Sequence, residues 1–238
     1  PVLVEEAKGE AGNPWGVKLR RMFDMTNDSK RGLFKRSQEL GIDRRLGTEV
    51  VVRGKRFLRL YEGDYGHQFN HRYASFDGVR VCETPSDLLR NPDYVTEPEY
   101  WVDEREVDAR FARWTGSRPL FALGHRRLST NERTVISCIL PRAGYSYGWI
   151  LTLPVTAPQA VGLCSIYNSL IFDWVARTAV GGLSISQETF KQLPVLPPEA
   201  FDAPCPWSPN ETLADWIRPR ALELTYTAWD LEPFARDL

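Results

Sequence analysis

Two histidines four residues apart, His67 and His71, lie within the segment LYEGDYGHQFNHRYASF, residues 60–76. On one face of a helix, this spacing lets two imidazoles share a zinc ion. The zinc-protease version of the motif also needs a glutamate beside the first histidine as general base, and Gln68 occupies that place. Gly66 just upstream disfavours a regular helix. We therefore expect no metal site here, and the segment either packs in the core or grips a ligand.

Two other short motifs match parts of catalytic sites. NPDY, residues 91–94, differs at Asp93 from the Asn-Pro-Pro-Tyr type of loop that holds a flipped base, and no Gly-rich cofactor loop precedes it. EAK, residues 6–8, matches only half of a nuclease metal site. Such motifs select loosely, and the sequence contains neither a nucleophile elbow nor a phosphate-binding loop. We expect a chain with no catalytic, cofactor-binding or metal-binding residues of its own.

Arginine and asparagine are concentrated in GHRRLSTNERT, residues 124–134. These two side chains form paired hydrogen bonds with guanine and adenine edges. In GYSYGW, residues 144–149, rings alternate with small residues, which suits either a loop that stacks on bases or a hairpin with half-buried rings. The contacts with DNA expected from these two segments are Arg126, Arg127, Asn131, Arg133, Tyr145 and Tyr147.

Charge is segregated along the chain, although the formal net charge is −1. Residues 18–59 hold thirteen Lys or Arg against five Asp or Glu, and residues 105–142 hold eight arginines against three acids. Residues 199–238 hold eight acids against three arginines. Arginine-rich segments suit phosphate contact, but they are also typical of solvated faces that pair with an acidic tail. The backbone contacts expected from the first segment are Arg20, Arg21 and Arg44.

The composition indicates a folded protein of the reducing cytosol. The chain has 238 residues, of which 42% are hydrophobic and 26% charged, so wholesale disorder is excluded. Its four cysteines form no CxxC pair, which argues against a zinc ribbon or a disulfide framework. The longest apolar stretch carries Asn168 and Asp173 and therefore predicts a buried helix, not a membrane span. Because the chain starts at Pro1 and stops within a helical pattern, we interpret it as part of a longer protein.

Both strands and helices are predicted to position the candidate residues. Strands are predicted in NPWGVKLRRMF, EVVVRGKRFLRLY, PLFALGHRRL and RTVISCILP, and a hairpin in YASFDGVRVC. Helices are predicted in NDSKRGLFKRSQELG, DEREVDARFARW, APQAVGLCSIYNSLIFDWVART and ETLADWIRPRALELTYTAWDLEPFARDL. Asp103 and Glu106 suit a capping box for the second helix, Gly181 and Gly182 are expected to end the third, and Pro219 is expected to kink the fourth. An α+β fold follows, with a mixed, mainly antiparallel sheet and packed helices.

Four long segments carry a family resemblance: NPWGVKLRRMFDMTNDS, LYEGDYGHQFNHRYASF, HRRLSTNERTVISCILPRAG and YNSLIFDWVARTAVGGLSISQETFKQLPVLPP. In this order they resemble the C-terminal region of large adenine-specific (N6) DNA methyltransferases. These are type IIG-like restriction-modification and phage-defence enzymes, including those of DISARM and BREX systems. The closing pattern is also similar to the ends of target-recognition domains in type I specificity subunits.

The resemblance implies an extension at 1–12, a DNA target-recognition domain with a type I specificity-subunit-like fold at 13–198, and a truncated acidic helical segment at 199–238. It implies that this fragment is non-catalytic and needs no cofactor, whereas S-adenosylmethionine would bind an upstream methyltransferase domain. The implied partners are double-stranded DNA, that upstream domain and other defence-system subunits, without a membrane and in the cytoplasm. The alternative is a scaffold that docks the methyltransferase onto those subunits, supported by the acidic, aromatic-bearing tail.

The segment LYEGDYGHQFNHRYASF departs from the family pattern, which has a lysine where Asp64 stands and an acid where Asn70 stands. If that lysine contacts phosphate, Asp64 cannot replace it. Since members of the family should read different DNA sites, a shared segment suits a scaffold turn or a backbone clamp. We assign His67, Gln68 and Arg72 to phosphate or sugar contact. Core packing is expected for Tyr61, Phe69, Tyr73 and Phe76.

Overall fold

The computed structural model describes residues 1–128, 130 and 132–238 and shows a mixed α+β fold. The strands are β1 Lys18–Arg20, β2 Phe34–Arg36, β3 Arg44–Leu46, β4 Glu49–Val52, β5 Lys55–Tyr61, β6 Ala74–Phe76, β7 Val81–Glu83, β8 Tyr100–Asp103, β9 Phe121–Arg127, β10 Val135–Pro141, β11 Gly144–Tyr145, β12 Ile150–Leu153, β13 Pro204–Cys205 and β14 Ser208–Thr212. The α-helices are α1 Asn27–Lys30, α2 Ser86–Leu89, α3 Glu104–Thr115, α4 Ala157–Tyr167, α5 Leu170–Thr178, α6 Gln187–Lys191, α7 Glu199–Asp202, α8 Leu213–Thr225 and α9 Glu232–Asp237. None of the helices in the described residues is long and apolar enough to cross a membrane.

An antiparallel sheet in the order β1-β12-β9-β10 forms the central layer. Every residue of β9 and β10 is buried, because both faces of this sheet are covered. Leu123 and Ile139 lie on the face that packs against the helices, in what we call the helical core. Ala122 and Leu140 lie on the opposite face, in what we call the sheet core. Covering on both faces explains why β9 and β10 show no apolar–polar alternation.

A second antiparallel sheet, in the order β2-β8-β5-β4-β3, closes the sheet core. Leu58 and Val102 are directly paired across its central strands and are fully buried. The short strand β11 pairs in parallel with the end of β5. This pairing brings the loop after β11 to the loop after β5, and these two loops form one wall of the candidate site.

Most predicted strands are confirmed, as are the hairpin β6–β7 and the helix that begins after Asp103. The Asp103 side chain accepts a hydrogen bond from the backbone of Arg105 at 2.9 Å, which caps α3. The predicted helix over residues 27–41 is wrong: only α1 forms, and the chain continues as β2. Phe34 of β2 packs edge-on against Phe23 with ring centroids 5.6 Å apart, so a tertiary contact overrides the helical pattern.

The single helix predicted over residues 157–178 is two helices, α4 and α5. Asn168 ends the first because its amide pairs with both backbone groups of Ser137 in β10, at 3.0 and 2.8 Å. Ser169 then caps the second, accepting a hydrogen bond from Phe172 at 3.2 Å. The break follows from docking against the central sheet, which the helical pattern alone does not reveal.

The acidic segment at 199–238 is built into the fold. Phe201, Ala221, Leu231 and Phe234 from this segment are buried in the helical core. Pro219 lies within α8. The segment therefore contributes apolar packing to the central layer in addition to its surface charge.

Candidate nucleic-acid interface

Residues from five separate stretches of the chain line a groove with a volume of about 680 Å³, and Ser184 alone represents one of them. Arg21 follows β1, Arg126 and Arg127 end β9, and Tyr147 lies between β11 and β12. Glu62 and Asp64, from the loop after β5, complete the wall. We call this the arginine groove. Three guanidinium groups, two carboxylates and one exposed ring are thus brought together by the tertiary structure.

Close backbone contact fixes the two loops that wall the arginine groove. A side chain on Gly148 would place its Cβ 3.0 Å from the Cα of Gly63, so the loops touch where both residues are glycine. The indole of Trp149 donates a hydrogen bond to the carbonyl of Glu62 at 2.8 Å. Gly66 leaves room for that indole, since a Cβ there would lie 2.8 Å from the ring. These contacts hold the groove wall without any help from a ligand.

Arg126 is bound to an acid at the edge of the groove. Its Nη2 donates to Oδ1 of Asp64 at 2.6 Å, and the Asp64 side chain is 76% exposed. Asp64 is the residue that stands where the resemblance implies a lysine. The structure thus makes it a partner for an arginine of β9 and places an exposed carboxylate, not a cation, at this edge. Burial also raises the pKa of Glu62 on the same loop.

Arg127 is only 6% exposed, and in the part of the chain that the structure describes its Nη1 has no hydrogen-bond partner. Its guanidinium lies over the ring of Phe190, 5.6 Å from the centroid. Burial, with the positive charge of Arg21, lowers the pKa of Arg127 to about 10. His125 stacks on the same Phe190 ring at 4.1 Å, and burial together with Arg127 lowers the pKa of this histidine well below its usual value. The cation of Arg127 is therefore held by aromatic contact rather than by an acid.

The two tyrosines predicted to contact DNA occupy different environments. Tyr147 is 56% exposed at the rim of the arginine groove. Tyr145 is fully buried in the sheet core, where its hydroxyl donates to the carbonyl of Pro141 at 2.6 Å. The assignment of Tyr145 to DNA contact is therefore corrected to core packing, because β11 turns this ring inward.

Arg72 also requires a correction. Its fully buried guanidinium donates to the carbonyl oxygens of Asn91, Tyr94, Leu89 and Thr227 at 2.7–3.0 Å. A side chain enclosed in this way does not reach a DNA phosphate. Arg72 instead joins the loop 89–94 to the C-terminal segment.

The other predicted clamp residues have internal contacts. His67 is half-buried with its ring 4.7 Å from that of Tyr73, and burial lowers its pKa. Gln68 donates to the carbonyl of Asn168 at 3.3 Å. His71 is fully buried, with Nε2 2.8 Å from Oδ1 of Asp230. The segment between the two histidines forms a tight turn and not a helix, so they do not share a helical face.

No group of three or more His, Cys, Asp or Glu side chains that could hold a metal ion occurs among the described residues. The polar cavity beside His67 has a volume of about 410 Å³ and is lined by Asp64, Glu83 and Glu132 as well. It shares Arg126 with the arginine groove, so this side chain lies between the two depressions.

The remaining predicted contacts are dispersed. Arg20 is half-buried on β1 and lines a separate cavity, and Arg44 is exposed on the edge strand β3. Arg133 lies 3.8 Å from a carboxylate oxygen of Asp173. Asn131 lies outside the described residues. Of the twelve residues predicted to contact DNA, the structure collects Arg21, Arg126, Arg127 and Tyr147 at one place.

The basic charge of residues 18–59 is partly neutralised by acids outside the acidic tail, although Arg59 lies 3.7 Å from Asp230 of that tail. Ion pairs of this kind are Arg31–Asp28, Arg36–Glu99, Arg45–Glu97 and Arg56–Glu49. They are largely exposed and individually weak. The segment total of thirteen basic residues therefore overstates the charge that is free to meet DNA.

Phe190 and Asp230 were not predicted from the sequence as residues of interest, nor was the pairing of Asp64 with Arg126. Asp64 carried a signal, because it breaks the family pattern, but its partner was 62 positions away. Phe190 carried none, since an aromatic residue in a short amphipathic helix is ordinary core composition.

Comparisons with models of known protein families, with curated proteins and with solved structures gave no match.

Proposed function

We propose that this chain is the DNA-binding target-recognition domain of an S-adenosylmethionine-dependent adenine-N6 DNA methyltransferase from a restriction-modification or phage-defence system. The observation that carries the proposal is the arginine groove, in which Arg21, Arg126, Arg127 and Tyr147 meet. The resemblance of four ordered segments to such enzymes supports it independently. The type I specificity-subunit-like fold is part of this proposal. The cofactor would belong to the methyltransferase domain, and no residue of this chain is assigned to it.

The chemistry of the groove suits a nucleic acid. Guanidinium groups donate to phosphate oxygens and to guanine O6 and N7, and an exposed tyrosine ring can pack against a sugar or a base. Glu62 and Asp64 keep the groove from being uniformly positive. A mixed wall favours selective contacts over indiscriminate attraction to any polyanion.

Arg126 is the strongest candidate for base recognition. Asp64 binds only Nη2 of this guanidinium, and the ion pair restricts the side-chain conformation. A positioned arginine can approach a base edge at lower entropic cost than a free one. In this proposal Asp64 acts as a positioning residue for Arg126.

The test is salt-dependent binding of the full chain to duplex DNA, followed by fluorescence anisotropy. We expect log K to fall linearly with log salt, with a slope of about 0.9 for each phosphate that the protein neutralises. Absence of binding to any duplex at low salt would contradict the proposal. Sequencing the methylated sites of a strain that carries the full-length parent would supply the cognate sequence. On that sequence Arg126→Ala should cost about 1–3 kcal/mol, and much less on unrelated DNA.

A second candidate function is a scaffold that docks partner subunits. It is favoured by α5, on which Leu170, Ile171 and Trp174 are each at least 67% exposed. An apolar groove of about 550 Å³ lies beside this helix. Trp174→Ser should reduce assembly with a protein partner and leave DNA affinity unchanged. If Trp174→Ser weakened DNA binding as much as Arg126→Ala does, the two functions would not be separable in this way.

A further inference from the structure

The largely buried arginines of this protein differ in the acidic groups that neutralise their charge. Arg142 contacts three acids, namely Glu49, Glu104 and Asp108, at 2.6–3.2 Å. Arg126 has Asp64 at 2.6 Å. Arg127 forms no ion pair with any carboxylate among the described residues, although it is more than nine-tenths buried.

The free donor of Arg127 belongs to a side chain that lines the arginine groove. The ring of Phe190 supports the guanidinium and His125 stacks on that ring at 4.1 Å. A buried cation with no carboxylate partner among the described residues is costly for the folded chain, and an anion in the groove would relieve that cost.

Arg21 supplies a second positive charge to the same groove. It is exposed where the chain leaves β1, and its charge contributes to lowering the pKa of Arg127. Two guanidinium groups that repel each other across a concave surface are arranged for a shared anionic ligand. Their planar donor sets match the tetrahedral oxygens of phosphate.

We propose that Arg127 and Arg21 together bind a single phosphate group, and that in the working protein this group is one phosphodiester of the DNA backbone. The assignment to DNA rests on the function proposed above. Arg127 is the buried anchor, Arg21 closes the site from the exposed side, and Tyr147 lies at the rim for the adjoining sugar or base. Arg126 is not assigned to this phosphate, because Asp64 at 2.6 Å already neutralises its charge. The groove therefore separates backbone contact at Arg127 from base contact at Arg126.

Two measurements on the full chain test this site. The first is the midpoint of thermal unfolding in inorganic phosphate against chloride at matched ionic strength, since a ligand of the folded state raises the midpoint. The second is the salt slope of binding to duplex DNA. The variants are Arg127→Gln, Arg21→Gln and the double variant, with Arg113→Gln as the matched control because Arg113 is an exposed arginine of α3 outside the groove.

We expect phosphate to raise the midpoint of the wild-type chain and of Arg113→Gln, and neither Arg127→Gln nor Arg21→Gln to show the full rise. In the DNA measurement each single variant should reduce the slope by up to about 0.9, and the double variant should also lose only about 0.9, because one phosphate is shared. A loss of about 1.8 in the double variant would mean two separate phosphates and would overturn the shared site.

Failure of this inference differs from failure of the proposed function. If the chain binds DNA and the slope is unchanged in both single variants and in the double variant, the phosphate site is overturned and the function stands. If phosphate protects the chain through Arg127 but no duplex binds, the phosphodiester assignment is overturned together with the proposed function, and the site takes a free phosphate group. Arg21→Gln changes only an exposed side chain, so both measurements on this variant still test the site if Arg127→Gln fails to fold.

Discussion

Two arginine clusters in this protein show opposite uses of the same side chain. In the arginine groove, Arg127 is buried without an acidic partner and Arg126 is paired with an exposed acid. Next to β5, both Nη groups of Arg72 donate to carbonyl oxygens, four in all, and Arg59 lies 3.7 Å from a carboxylate oxygen of Asp230. Burial alone therefore does not separate structural arginines from functional ones. What separates them, among the described residues, is whether the fold places a carboxylate or a set of carbonyl oxygens close to the buried charge.

The second cluster, which we call the Asp230 centre, consists of Arg59, His71, Arg72 and Asp230. The Asp230 side chain is 1% exposed and accepts its closest contact from His71 at 2.8 Å. Burial by itself would raise the pKa of Asp230, but His71 and Arg59 outweigh it and hold that pKa below the usual value. The centre joins the C-terminal segment to β5 and to the turn at His71, so its role is to hold the fold together.

The largest effect is expected from breaking the Asp230 centre. Asp230→Ala would leave Arg59 and His71 buried without their acid, which should lower the free energy of unfolding by about 3–5 kcal/mol. Urea denaturation measures the change. Asp237→Ala, at an exposed carboxylate near the same end of the chain, is the control and should change stability by less than about 0.5 kcal/mol. Equal effects at the two positions would show that the centre is not a stabilising contact.

The same centre should shape the acid limb of the stability curve. Because folding lowers the pKa of Asp230, its contribution is present above the ordinary carboxyl pKa, about 3.9, and is lost as the pH falls through the lower folded-state value. Asp230→Asn should therefore flatten the decline in unfolding free energy between about pH 5 and pH 2. Denaturation at a series of pH values tests this, and an unchanged acid limb would contradict the lowered pKa.

Removing a charge from the arginine groove should raise the free energy of unfolding, whereas breaking the Asp230 centre should lower it. Arg127→Leu removes a buried charge that no acid answers, so the ligand-free chain should become more stable by about 1–3 kcal/mol at pH 7. The pKa of about 10 means that the cost is fully present below pH 10 and is relieved as the pH rises through that value. The advantage of the variant should therefore shrink between pH 9 and pH 11. Destabilisation by Arg127→Leu would mean that the charge is satisfied and that the groove is not built around it.

A smaller effect, confined to binding, is expected at the rim. Tyr147→Ala removes an exposed ring and should leave the free energy of unfolding within about 0.5 kcal/mol of the wild type. If the ring packs on a sugar or base, DNA affinity should fall by about 1 kcal/mol or more. Tyr147→Phe is the matched control, because it keeps the ring and should retain affinity. Equal loss in both variants would instead point to the hydroxyl.

The smallest effect is expected at Arg44. Arg44→Gln lies on the exposed edge strand away from the groove and should change neither stability nor cognate discrimination measurably. If β3 does follow the DNA backbone, the salt slope alone should decrease by about 0.9, equally on all sequences. An unchanged slope would identify Arg44 as solvated surface.

The elements around the site were predictable where the deciding contacts are local. Asp103 caps α3 through a hydrogen bond two residues away, and the Asp-Gly turn closes β6 on β7 within the same short segment. The helix predicted over 27–41 failed because its residues form β2, whose partner β8 lies more than sixty positions away. The local sequence pattern carries no sign of a pairing partner so far away, so nothing in residues 27–41 argued against a helix.

The residue types of the candidate site could also be predicted from the sequence. Which of these side chains are exposed and which are buried could not. Side-by-side arginines at the end of a buried strand, and tyrosines alternating with small residues after the next one, marked the two segments that form the arginine groove. Strand alternation then decided that Tyr145 turns inward while Tyr147 stays exposed. It did so only through the pairing of β11 with β5, whose partner residues are more than eighty positions apart.

The sequence by itself determined where most strands lie, where α3 begins, and that arginines are concentrated at the end of β9. Only the tertiary structure decided which of those arginines remain available to a ligand. Asp64 reaches Arg126 across 62 positions, and Asp230 reaches His71 across 159. An acid satisfies a cation only when the fold brings the two within a few ångströms, because their attraction depends on distance in space and on burial and not on separation along the chain. Among the described residues Arg127 has no carboxylate partner, because the topology placed Phe190 beneath it.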